Sequence, residues 1–175
     1  MFTTVHLHLL INHLPIIITA LGLVLVGLAA WRHDDSIARV AFAFFVGGAI
    51  SALPTYLTGE GSEDAVINLP GVTEALIDQH QEIALIAAIA LGVLGTYALW
   101  ALWRHRRPAV LSPTIVRVAL AGALVSSGLM AYTGLLGGQI RHTEIRSGFV
   151  APAPATSRVG QTSAESAVSA PRGMP

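Results

Sequence analysis

Apolar positions gather into four long runs, and polar positions collect between them. Leu14–Trp31, Val40–Gly59, Ile83–Trp103 and Val118–Ile140 carry no charged residue and are 18, 20, 21 and 23 residues long. A membrane-spanning helix needs about 20 predominantly apolar residues, so each run qualifies. The pattern predicts an all-α fold, an integral membrane four-helix bundle occupying residues 1–146. The first run lacks the basic start and small-residue cleavage site of a signal peptide. After Arg146 the apolar pattern stops. Residues 147–175, rich in Ala, Pro and Ser, read as a disordered tail.

Local signals divide the polar segments. Asn12 is a good helix cap and Pro15 suits a first helical turn, so the first span is expected to start near His13 or to kink there. His6 and His8 then belong to a short preceding segment. Ser62 is placed to cap a short helix beginning with Glu63 and Asp64, Pro70-Gly71 to turn the chain, and Thr73 to cap the third long helix. Gly137-Gly138 are expected to loosen or end the fourth.

Composition supports solvation by lipid. Hydrophobic residues make up 53%, charged residues 11%, and the mean hydropathy is +0.65, whereas an ordinary soluble domain is about 25% charged. The chain has neither cysteine nor lysine. Disulfides, thiolate metal sites, covalent haem attachment, cysteine nucleophiles and Schiff-base chemistry are thereby excluded.

Net charge is zero, but its distribution is uneven. Six of the ten arginines (Arg32, Arg39, Arg104, Arg106, Arg107 and Arg117) flank the short loops after the first and third spans. The positive-inside rule places those loops in the cytoplasm, with both termini and the 60–82 loop outside. Trp31, Trp100 and Trp103 then form an aromatic belt at the inner interface. "RHRRP" at 104–108 reads as a topology determinant, so no nucleic-acid partner is expected.

This orientation gathers candidate chemistry outside. His6, His8, His13, His80 and His142 fall there, with Glu60, Glu63, Asp64, Glu74, Asp78, Glu82 and Glu144. His13 and His80 open the first and third spans, which are diagonal in a sequential bundle, and His142 follows the fourth. Two inward imidazoles suit haem b, with Arg141 and Arg146 placed for its propionates and glycines 47, 48, 134, 137 and 138 leaving space. A mixed set of His8, His13, Glu60, His80, Glu82 and His142 suits iron, copper, zinc or manganese instead. Polar residues at headgroup depth would produce the same pattern without any ligand. His33 and His105, among the arginines, read as solvated side chains.

An internal repeat is also legible. The first and third spans start with His13 and His80, and the second and fourth end in "TYLTG" (55–59) and "AYTGLLGG" (131–138). Tandem duplication of a hairpin would explain this. So would the plain abundance of Tyr, Thr and Gly.

"HLLINHLP", "YLTGE", "LPGVTEALIDQHQE" and "GGQIRHTEI" together resemble a widespread family of uncharacterised bacterial membrane proteins that open with H-x4-H-[FL]-P. The resemblance covers roughly residues 8–146. It implies roles for His8, His13, Glu60, His80, Glu82, Gly137, Gly138, Arg141 and His142. It also implies the bacterial cytoplasmic membrane, and redox work, because some relatives are joined to cytochrome-like modules. The chain departs from the family in having Leu9 where proline is common, and in ending "IRHTE" where a Gly-Gly…Tyr-x-His-Gly pattern is frequent.

The leading expectation is a membrane protein with haem b or a transition metal at its outer rim, exchanging electrons with a periplasmic or membrane redox partner. The alternative is a cofactor-free assembly subunit that binds a partner through its acidic outer loop. A small transporter fits less well, because no ionisable residue lies within any of the four runs.

Overall fold

The computed structural model describes residues 3–68, 71–106 and 110–150; the tail reading for 151–175 and the Pro70 turn lie outside the described residues. A short helix α1 (Thr4–Ile11) leads into four long ones: α2 (Leu14–Arg32), α3 (Asp35–Glu60), α4 (Glu74–Arg104) and α5 (Pro113–Arg141). Each long helix, α2 taken together with α1, is long and apolar enough to cross a membrane. They pack as a closed ring in which α2 meets α3 and α5, and α4 meets α3 and α5. α1 lies on α3.

Small buried residues let these helices approach closely. Ala38, Ala41, Ala87, Ala98, Ala101, Ala119 and Ala123 are almost fully buried around Val26, Phe42, Phe45 and Leu91. Ile17, Val24, Ile50, Leu53, Ile89, Val93, Leu124 and Val125 face outward. An apolar exterior around a core of small residues is what lipid permits, since burial from lipid gains little and close packing gains more. By helix length and hydropathy, this is a multi-pass membrane protein.

The helices exceed the apolar runs because polar residues extend and cap them. Asp34 caps α3 by accepting from the Ser36 and Ile37 amides at 2.8 and 3.1 Å. Asp35 pairs with Arg39 at 2.7 Å and accepts from the Leu111 amide at 2.8 Å, tying the two loops at the arginine-rich end. Thr73 caps α4, as its sequence predicts, accepting from Leu76 at 3.3 Å. Ser62 does otherwise: its hydroxyl donates to the Thr58 carbonyl at 2.7 Å, and only a single short turn, Glu63–Ala65, follows.

The α1–α2 junction falls where the sequence places it, with α2 starting at Leu14 and with His6 and His8 in the short α1, but Asn12 plays a different part. Asn12 does not cap α2; it ends α1, its amide donating to the His8 carbonyl at 2.8 Å. Asn12 and His13 keep right-handed helical backbone, so α1 passes into α2 through a helical turn. Pro15 has no amide to offer the Ile11 carbonyl. The Thr55 hydroxyl of α3 comes within 3.4 Å of that carbonyl, while its shorter bond, at 2.8 Å, goes to the Ser51 carbonyl.

Candidate functional site

One end of the bundle brings together α1, the last turns of α3 and α5, and the start of α4. Of the predicted site residues, the structure packs two against neighbouring helices: His8 and His80, both partly buried.

His8 leans from α1 onto α3. Its Nδ1 lies 3.1 Å from the Thr55 carbonyl oxygen and 3.4 Å from the Thr58 hydroxyl. That hydroxyl donates to the Pro54 carbonyl at 2.7 Å, so it presents a lone pair to the ring. Both neighbours of Nδ1 are acceptors, so Nδ1 carries the proton and Nε2 keeps a lone pair. The ring lies over Gly59, where a Cβ would come within 3.1 Å of Cε1 and 3.5 Å of Nδ1.

His80 repeats the arrangement between α4 and α5. A Cβ on Gly137 would lie 3.0 Å from its Cε1 and 3.5 Å from its Nδ1. The backbone of Thr133, four residues before that glycine, lies beside the ring. The His80 Nδ1 is buried and has no hydrogen-bond partner. His8 and His80 are within electrostatic reach of one another.

The other predicted residues stay on the surface. His13 is exposed, as are Glu60, Glu82, Arg141 and His142. The residue that shares His80's surroundings is therefore His8, not His13. His13, at the α1–α2 junction, is exposed, whereas α1 lays His8 on α3. His142 pairs with Glu144 at 2.9 Å, and both side chains are more than half exposed, at 63% and 57%. The Glu144 backbone amide, and then the His142 ring, hold this carboxyl below the usual carboxylate range. Among the described residues, no three of His, Asp and Glu gather closely enough to hold a metal ion.

Arg146 is committed elsewhere. Its Nε donates to the Gln139 carbonyl at 2.7 Å, Nη2 to Ile140 at 3.3 Å, and Nη1 to the Gly71 carbonyl. A guanidinium on the last carbonyls of a helix complements their partial negative charge. This is why α5 runs through Gly137-Gly138 to Arg141 when the two glycines lead one to expect its end, and why Arg146 is not free for a propionate. Arg146→Ala should leave three carbonyls without their partner and cost about 1–3 kcal/mol. Amide exchange should accelerate in the last turn of α5 and near Gly71; unchanged exchange there would contradict the clamp.

Two features escaped the sequence reading: the seat that each threonine–glycine pair makes for a ring, and the Arg146 clamp. The first had a signal, since Thr55-x3-Gly59 and Thr133-x3-Gly137 share their spacing. The fold and site define a four-helix, multi-pass membrane protein with two seated imidazoles at one end. Comparison with protein-family models, curated proteins and solved structures finds no match.

Proposed function

We propose that the chain is an electron-transfer or metal-binding protein of the bacterial cytoplasmic membrane, with His8 and His80 as the ligands of its redox group. The observation that carries this reading is the pair of rings set alike on neighbouring helices. The acceptors around His8 Nδ1 fix its tautomer, as partners behind metal-bound histidines do. Both seats lack a side chain where the ring lies, and the His80 ring has a buried nitrogen still unmatched. Two imidazoles without a gathered carboxylate suit haem b better than the mixed His/Glu ion site, because Glu60 and Glu82 are exposed. When bound, such a group supplies a one-electron couple. The protein's part is to hold two neutral rings at fixed orientation and to keep their environment partly dry.

The same reading puts the histidine-rich end outside, from the arginines at the opposite end. Alkaline phosphatase fused after Arg146 should then be active and a fusion after Arg106 inactive; the reverse pattern would invert the orientation. Protein purified from cells supplied with haem and metals should carry close to one haem or metal per chain, by haemochrome assay and elemental analysis. Glu60, Asp64, Glu74, Asp78 and Glu82 are exposed at this end, which favours the assembly-subunit reading if neither group is found.

A further inference from the structure

The two histidine seats match in more than their glycines, although His8 Nδ1 lies 3.1 Å from the Thr55 carbonyl while the buried His80 Nδ1 has no partner within hydrogen-bond distance. Thr55 donates its hydroxyl to the carbonyl four residues back, Ser51, at 2.8 Å, and Thr133 does the same to Leu129 at 2.9 Å. Four residues on in each case stands the glycine that the ring covers. A Cβ there would meet Cε1, Nδ1 and Nε2 at 3.1, 3.5 and 3.9 Å in one seat, and at 3.0, 3.5 and 3.7 Å in the other. The three pairs of distances agree within 0.2 Å, so each glycine stands at the same distances from the same three ring atoms. In each case the histidine comes from an element earlier in the same pair, α1, which leads through α2 to α3, and α4, which leads to α5.

From this agreement we infer that α1–α3 and α4–α5 are two equivalent halves related by a pseudo-twofold axis along the bundle. His8 and His80 are the equivalent residues, and Gly59 and Gly137 are their positioning residues. The inference deepens the proposed function. A group held on that axis would be met by one imidazole from each half, so the ligand class is one that takes two equivalent imidazoles, as a haem does. It also accounts for the exposed His13: the break between α1 and α2 and Pro15 belong to the first half alone, while α4 runs unbroken.

Equivalence is testable on the full-length protein, first without any ligand. In nitrogen-15 spectra of histidine-labelled protein in detergent, His8 and His80, assigned through His8→Gln and His80→Gln, should both be Nδ1-protonated neutral rings. Gly59→Ala and Gly137→Ala should each shift only the ring they seat, by similar amounts, and Gly47→Ala, where a Cβ meets nothing within 4 Å, should shift neither. Opposite tautomers in the two rings, or a response at one glycine only, would overturn the equivalence. Titration with haemin addresses the ligand: wild type should give a low-spin, two-imidazole spectrum, and each alanine variant should bind about tenfold more weakly. Absence of haemin binding alongside matched tautomers would sink the haem-like ligand class while leaving the duplication standing. Binding weakened by only one of the two glycine variants would sink the matched pair and leave the proposed function intact.

Discussion

His80→Ala is expected to strip most of the bound haem or metal, and His8→Ala is expected to do the same. An imidazole bond to iron is not replaced by water at comparable strength, and here one lost ring leaves a single protein ligand. Loss of one ligand should weaken binding by two orders of magnitude or more, beyond the roughly 10- to 100-fold typical of changes behind a ligand. His13→Ala and His142→Ala should retain the group, because both side chains are exposed. So should His33→Ala and His105→Ala, at the opposite end. Comparison of the six variants by haemochrome assay and elemental analysis checks this, with melting temperature recorded to separate ligand loss from misfolding. If His13→Ala lost the group while His8→Ala kept it, the bundle would bind through the residue that opens α2, and the seats would be packing features.

Gly95→Ala should show the largest loss of stability from a single added methyl. A Cβ there would lie 2.5 Å from the Ala49 Cβ and 3.0 Å from the Phe45 carbonyl oxygen, a backbone atom that cannot rotate aside. Gly22→Ala meets the fully buried Phe45 ring at 2.6 Å. Overpacking of this kind costs about 1–3 kcal/mol; replacing a helical glycine by alanine returns up to about 1 kcal/mol. The balance is a net loss at Gly95 and Gly22. At Gly47, Gly92 and Gly128 a Cβ meets nothing within 4 Å, so alanine there should be neutral or stabilising. Thermal unfolding in detergent, followed by far-ultraviolet circular dichroism, reads the sign at each position. A stabilising Gly95→Ala would mean that α3 and α4 do not approach as described.

The spans were legible because a run of apolar residues long enough for the bilayer has few other uses. Helix ends were half legible. Thr73 does what its position predicts, but Asn12 and Ser62 do not, since a capping side chain competes with whatever acceptor packing brings near it. The Thr58 carbonyl took the Ser62 hydroxyl. The candidate site was legible as a region and not as a set. Five histidines fall at one end of the bundle, and which of them turns inward depends on helix phase. That phase is fixed where α1 lies on α3, with His8 Nδ1 3.1 Å from the Thr55 carbonyl, residues 47 apart in the chain. The Thr-Gly strings at 55–59 and 133–137 carry the spacing of the proposed repeat, but nothing in the sequence says whether His8 or His13 packs on α3.

Of all measurements, the visible absorption spectrum of protein purified from haem- and metal-supplied cells, before and after dithionite, bears most directly on the two histidines as ligands. The account predicts a Soret band that shifts and an α band that sharpens on reduction, both lost in His8→Ala and His80→Ala. A wild-type spectrum with no absorbing group, from protein that also contains no stoichiometric metal, would contradict it.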